Sequence, residues 1–227
     1  MQRFLPIAAA VSAGCATMGT FQRAETLAPG RTEWVVEANA WGGVNDPEVP
    51  VMPALACTMR RGIGERSEVG LRFGTTPLEA YGKFEISRKG GVVVSVAPSL
   101  GGYWFGGENF SAGEVFVQAP LVVGVPIGKS ELVLAPKLHD LTAFGYEGHR
   151  SGGVVTMLSV GGSVGAIRQV TPGFALYPEV TILHPLFPSE RGWPYYLALP
   201  DRDDTLLYNL GIGVMMRRVH RGEVDYR

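Results

Sequence analysis

Three side chains close to residue 150 are of the types that carry out hydrolysis. Glu147 and His149 are two residues apart and would form a general-base pair, and Ser151 is near enough in sequence to be a nucleophile. The surrounding segment, GYEGHRSGG, is also ordinary loop composition, and no spacing within it is diagnostic of catalysis. These residues are therefore weak catalytic candidates, and the sequence favours a protein that is not an enzyme.

The composition points to no other site chemistry. No spacing of His, Cys, Asp and Glu resembles a metal site, and no glycine-rich loop matches a nucleotide fingerprint, so we predict neither a metal nor a cofactor. The 20 basic and 21 acidic residues give a net charge of −1, which argues against nucleic acid as a partner. With only two cysteines, Cys15 and Cys57, there is no disulfide framework.

The first 14 residues have the order of a secretory signal peptide. Arg3 is followed by an apolar run from Phe4 to Ala13, and small residues precede Cys15. A helix needs about 20 apolar residues to cross a bilayer, so this run is too short to be a membrane span. We therefore predict that residues 1–14 are an export signal.

Beyond residue 31, apolar and polar residues alternate with the period of a β-strand. In TEWVVEANAW, Trp34 and Val36 share one face, and Glu33 and Glu37 share the other. Similar segments occur at 32–42, 52–61, 67–74, 82–89, 91–104, 114–125, 131–144, 153–167, 173–184 and 204–218, and their connections are alternately long and short. This layout is typical of transmembrane β-barrels. We predict an all-β fold, an antiparallel up-and-down transmembrane β-barrel of about ten strands (range about eight to twelve), over residues 32–218.

The exported start, the alternating strands and the rhythm of turns resemble a small outer-membrane β-barrel protein of Gram-negative bacteria. The segment RRGIGERSEVGLRFG is similar to the turn-plus-strand units of such barrels, although the chain ends in VHRGEVDYR rather than in a strand with a C-terminal Phe. The resemblance implies a location in the outer membrane, with its lipid and the barrel assembly machinery as partners. Residues 219–227 would then be a periplasmic tail.

The sequence SAGC resembles the lipobox of bacterial lipoproteins, with Ser12 where Leu or Val is usual. This resemblance implies that Cys15 is a lipid attachment site and that residues 15–31 are a tether between the lipid and the first strand. Cleavage nearby, with Cys15 incidental, is the alternative.

If the apolar faces contact lipid, the opposite faces line the lumen. The predicted lumen residues carry charges of both signs: Glu33, Glu37, Glu68, Arg72, Lys83, Glu85, Lys137, His139 and Glu179. A barrel of this size is only slightly wider than its own side chains, and buried charges must pair. We therefore expect a narrow or closed, ion-paired lumen in a structural protein or a porin-like small-solute channel.

Three other interpretations fit the same pattern. The long loops could hold a protein or small-solute partner, as in a surface adhesin, because the 185–203 loop carries Trp193, Tyr195 and Tyr196. The barrel could be a protease or lipid-modifying hydrolase that uses its loops. A lipid-tethered, soluble, lipocalin-like barrel would instead place the apolar faces inside, and periodicity alone does not separate the two polarities.

Overall fold

The computed structural model describes residues 18–44, 51–75, 77–107, 110–147, 150–187 and 206–217. They form eleven strand segments: β1 (Thr32–Val44), β2 (Met52–Gly64), β3 (Ser67–Gly74), β4 (Leu78–Lys89), β5 (Val92–Val96), β6 (Ser99–Gly107), β7 (Phe110–Ile127), β8 (Ser130–Glu147), β9 (Arg150–Thr171), β10 (Phe174–Phe187) and β11 (Leu206–Arg217). None of the described residues belongs to a helix long and apolar enough to cross a membrane.

The strands close into a ten-stranded antiparallel barrel. Each strand pairs with its neighbours along the chain, and β1 pairs with both β2 and β11, which joins the first wall strand to the last. Segments β5 and β6 both pair with β4 and β7, so they are two parts of one wall strand, interrupted at Ala97 and Pro98. The interruption falls where proline removes a ladder donor. The predicted fold class is thus confirmed.

The connections separate the barrel into two different ends. At the end that we call the short-turn end, two-residue turns join β2 to β3, β4 to β5, β7 to β8 and β9 to β10. Gly90, Gly91 and Gly128 have positive φ values of 60°, 82° and 59° in these turns, a conformation that glycine adopts without strain. The other end carries the connections around residues 45–51, 76, 108–109, 148–149 and 188–205, and we call it the long-loop end because it has the two longest of them, 45–51 and 188–205.

Most strands extend further than the sequence predicted, β7 and β9 the furthest. Strands β7, β8 and β9 have 18, 18 and 22 residues, and together with the end of β6 they take in most of the predicted loops FGGENFSAG and GYEGHRSGG. The two hairpins continue their ladders up to Gly107↔Phe110 and Glu147↔Arg150. Glycine-rich composition marks a loop only weakly when a neighbouring strand supplies hydrogen-bond partners along the whole segment.

The barrel has opposite polarity inside and outside. Outward-facing side chains are large, apolar and exposed, as with Leu55 at 60%, Ile86 at 57% and Val180 at 45% of full exposure. The inward-facing neighbours include Lys83 and Glu179, which are exposed by only 0% and 2%. A soluble barrel would need the reverse arrangement, because exposed apolar surface of this extent is stable only in contact with lipid. The soluble lipocalin-like alternative is therefore wrong.

Candidate functional site: a lumen occupied by the N-terminal segment

Residues 18–28 lie inside the barrel, where they form what we call the plug. Phe21, Ala24 and Leu27 are almost completely inaccessible to water, and the segment reaches the short-turn end at Gly30, whose N–H bonds to the Gly62 carbonyl at 2.9 Å. The sequence indicated only a tether for this stretch. In the structure these residues also fill the lumen, and the wall binds them along their length.

In the middle of the lumen, wall charges bind the start of the plug. The Glu179 carboxylate accepts the main-chain N–H groups of Thr20 at 2.5 Å and of Phe21 at 2.8 Å. The Lys137 ammonium donates to the Met18 carbonyl and, at 3.1 Å, to the Thr20 hydroxyl. A wall anion and a wall cation thus satisfy consecutive donors and acceptors of one extended chain.

Arg72 joins the plug to the barrel wall at the same level. Its Nη1 donates to the Gly19 carbonyl at 2.9 Å, and its Nη2 pairs with the Glu37 carboxylate. Glu37 also accepts from the Thr58 hydroxyl at 3.0 Å. This network keeps the guanidinium in place for the plug and leaves neither buried charge without a partner.

Nearer the short-turn end, Lys83 and Glu68 bind the plug as an ion pair. Their Nζ and Oε1 atoms are 2.9 Å apart. Lys83 donates to the carbonyls of Arg23 and Glu25, both at 3.0 Å, and Glu68 accepts the Leu27 N–H at 2.8 Å. The same pair therefore satisfies plug carbonyls with its cation and a plug N–H with its anion.

Two wall residues bind Ala24, and one of them was absent from the predicted lumen set. Glu131, the residue that was missed, accepts the Ala24 N–H at 3.1 Å, and the hydroxyl of Ser95, which the alternation had placed in the lumen, donates to the Ala24 carbonyl at 2.5 Å. Glu131 is the second residue of β8 and lies next to a turn, which hid its role. The alternation along β8 could have identified it, because the inward-facing residues Lys137 and His139 have odd residue numbers, as Glu131 does.

Phe21 occupies a pocket whose floor is made of glycine. Its ring meets Tyr177 edge-on at 5.6 Å between centroids and lies 5.9 Å below the Arg72 guanidinium. A Cβ atom at Gly211 would lie 2.6 Å from the ring, and one at Gly213 would lie 3.0 Å from it. The wall therefore has room for this aromatic ring only because β11 carries glycine at both positions.

The remaining predicted lumen residues also lie inside the barrel. Glu33 pairs with Arg60, and with Arg217 at 3.3 Å, whereas Glu85 pairs with Arg88 at 2.7 Å. His139 is buried, stacks on the Phe116 ring at 5.7 Å between centroids, and has no hydrogen-bond partner within the described part of the chain.

An apolar layer crosses the lumen on the long-loop side of the plug. Met18, the first described residue, packs there in a cluster with Trp41, Phe116, Leu141 and Leu183. The wall charges beneath it are also inaccessible to water. A water-filled passage along the plug would expose both the cluster and these charges, and neither is exposed.

The other predicted site residues are in regions that the structure leaves undescribed. Glu147 ends β8 and Ser151 lies in β9, but their side chains are not described. His149, Cys15, Trp193, Tyr195 and Tyr196, together with residues 1–14 and 219–227, lie outside the described residues. Across the described ranges, no group of three or more His, Cys, Asp or Glu is placed to hold a metal ion.

Comparison with solved structures finds other barrels. The attachment invasion locus protein Ail of Yersinia pestis aligns with a TM-score of 0.46 and 8% identity over 84% of this chain and 99% of its own. The translocator domain of the autotransporter NalP from Neisseria meningitidis gives 0.47 and 12% over 92% of both chains. The outer membrane protease OmpT from Escherichia coli gives 0.43 and 9% over 86% and 100%.

No family model and no curated protein matches the sequence. At these identities and TM-scores the structural likenesses carry no argument about activity, and the assignment depends on the chain's own geometry. A single chain forms an even-stranded closed barrel with a charged interior and an apolar exterior, which is the architecture of bacterial outer-membrane proteins. The chain is therefore an integral β-barrel of the outer membrane of a Gram-negative bacterium.

Proposed function

We propose that this protein is a small-solute channel of the outer membrane that its own plug holds closed. The observation that carries the proposal is the binding of the plug by wall charges, above all Glu179, Lys137, Lys83 and Glu68. A purely structural barrel of ten strands needs only its own side chains to fill the lumen. Here the charges that would line an open pore instead bind a separate segment of chain.

No strand pairing fixes the plug in the lumen. It adds no strand to the barrel, whose wall strands already pair with each other all the way round. The bridge Pro29↔Gly62 pairs the chain with the wall just after the plug, at the short-turn end. Polar contacts to main-chain atoms can be exchanged for water when the segment leaves, so withdrawal does not require the barrel to unfold.

The open lumen would select small hydrophilic solutes. Without the plug, a lumen of only ten strands would be lined by acidic and basic side chains together: Glu68, Glu131, Glu179, Arg72, Lys83 and Lys137. Mixed charges in a narrow polar passage favour water and small polar solutes over apolar ones.

Planar-bilayer conductance tests the proposal. Two proteins are compared: one that begins at residue 15, and one from which residues 15–28 have also been removed. Both are first shown to be folded by a gel-mobility shift on boiling. We expect the first to be silent and the second to conduct in small, steady steps. A folded, membrane-inserted deletion variant that stays silent would show that the barrel is structural.

Three further expectations belong to this proposal, since the described residues do not test them. They are the acylation of Cys15, the recognition of the barrel by the assembly machinery, and the binding of a protein or solute partner at the 185–203 loop. Metabolic labelling with palmitate, compared between wild type and Cys15→Ser, would test the first of them. Loss of label in the variant, with the barrel still folded, would support acylation.

A further inference from the structure

We propose that the lumen is a binding site for an extended polypeptide segment, and that a peptide added from outside can occupy it in place of the plug. The inference deepens the proposed function and rests on it, since it requires that the plug can leave. The ligand class is a peptide main chain with an aromatic side chain at one position and a small side chain three residues later.

The first argument is that the wall binds mainly the main chain of the plug. Wall carboxylates accept the N–H groups of Thr20, Phe21, Ala24 and Leu27. Wall cations and hydroxyls donate to the carbonyls of residues 18, 19, 22, 23, 24 and 25, with donor–acceptor distances of up to 3.5 Å. Every residue has these groups, so most of this binding does not depend on the plug's sequence.

The second argument is that the wall fits two plug side chains closely, those of Phe21 and Ala24. Phe21 fills the pocket over Gly211 and Gly213. Ala24 faces Gly124 so closely that a Cβ atom there would lie 2.7 Å from the Ala24 Cβ, so nothing larger than alanine fits without a shift of the wall. A peptide ligand therefore needs an aromatic residue and, three positions on, a small one.

The third argument is that the Glu25 side chain contributes little to the binding. The Glu25 side chain is half exposed and reaches only Arg88, which is itself half exposed, at 2.7 Å. Exposed ion pairs of this kind contribute little binding energy. A Glu25→Gln peptide, which keeps the Glu25 carbonyl that Lys83 binds, is thus a matched control for changes at residues 21 and 24.

The experiment uses the channel without residues 15–28 and a synthetic peptide of residues 16–30. We expect the peptide to block conductance reversibly, and the Glu25→Gln peptide to block it equally. The Phe21→Ala peptide should need a concentration higher by roughly 150-fold to 5,000-fold, because loss of a buried phenyl ring has an effect of this order. The Ala24→Leu peptide should not block at concentrations at which wild type blocks fully.

The outcomes separate this inference from the proposed function. A silent deletion variant would overturn the proposed function before any peptide is added. A conducting variant that no peptide blocks, or that all four peptides block equally, would overturn the inference alone.

If the deletion variant fails to show the heat shift, full-length chain with Phe21→Ala and Ala24→Arg replaces it, because these changes expel the plug without shortening the chain. The same peptides and outcomes then apply.

Discussion

Replacement of Glu179 by Gln should open the channel without unfolding the barrel. The carboxylate accepts two plug N–H groups, those of Thr20 and Phe21, through its two oxygens. Gln keeps one acceptor oxygen and puts an NH₂ group where the second oxygen was. One charge-assisted hydrogen bond is therefore lost outright, and a buried N–H group is left facing another donor.

The size of the effect follows from this count. A hydrogen bond to a charged group contributes about 1.5–3 kcal/mol. A difference of about 1.4 kcal/mol corresponds to a factor of ten in an equilibrium constant. The ratio of plug-out to plug-in molecules should therefore rise by about 10-fold to 150-fold, provided that the barrel itself is unchanged.

Single-channel recording measures this ratio as the open fraction. Glu114→Gln is the matched control: it makes the same replacement at an inward-facing, buried glutamate for which the described residues show no contact with the plug. We expect the ratio of open to closed molecules for Glu179→Gln to exceed that of wild type by this factor, and the ratio for Glu114→Gln to equal that of wild type. If both variants are folded and both stay as closed as wild type, Glu179 does not hold the plug and the reasoning from its hydrogen bonds is wrong.

Three further perturbations test the plug and the wall separately. In a Glu179→Gln background that also carries Cys15→Ser and Cys57→Ser, the pair Thr20→Cys and Ser163→Cys, which replaces hydroxyl oxygens 3.1 Å apart, should abolish channel openings under oxidation, and a thiol reductant should restore them in bilayer recordings. Lys83→Met leaves the buried Glu68 carboxylate without its 2.9 Å partner and should lower stability to urea by about 3–5 kcal/mol, whereas exposed Lys89→Met should not. Val180→Arg places a charge on the lipid face and should destabilise the inserted barrel by about 2–4 kcal/mol near the bilayer midplane, whereas Val180→Leu should leave the urea midpoint unchanged.

The strands of the barrel wall were predicted well because their residues contact lipid and the polar lumen in alternation. Along β10, Val180 and Ile182 face lipid, and Glu179 and Thr181 face the lumen, so a period of two is imposed over the whole strand. The position of the break at Pro98 was harder to predict. Proline residues 120, 136 and 178 lie within continuous strands, and only the local pairing decides where the ladder is interrupted.

Strand ends and loops were predicted less accurately for a different reason. The ladder between β8 and β9 continues to Glu147↔Arg150, far beyond the apolar alternation that marks the lipid-facing part. Outside the bilayer, both faces of a hairpin contact water, so the alternation stops although the backbone pairing continues. Periodicity therefore measures the membrane-embedded part of a strand rather than its whole length.

The plug escaped prediction because main-chain recognition leaves almost no trace in a sequence. The charges of Glu179, Lys137 and Lys83 indicated a polar lumen, but the same charges would line an open pore or pair across a closed one. What distinguishes the observed arrangement is that they bind N–H and carbonyl groups, which residues 18–28 share with every other segment of chain. The sequence signals of binding are then restricted to the points where a side chain must fit, here Phe21 against β11 and Ala24 against Gly124.

A wall that recognises backbone in this way selects its occupant by tethering more than by sequence, since the covalent link through residues 29–31 keeps the plug at a high effective concentration near the lumen. Cutting that link, rather than changing any single contact, is therefore the change that should let a foreign peptide compete.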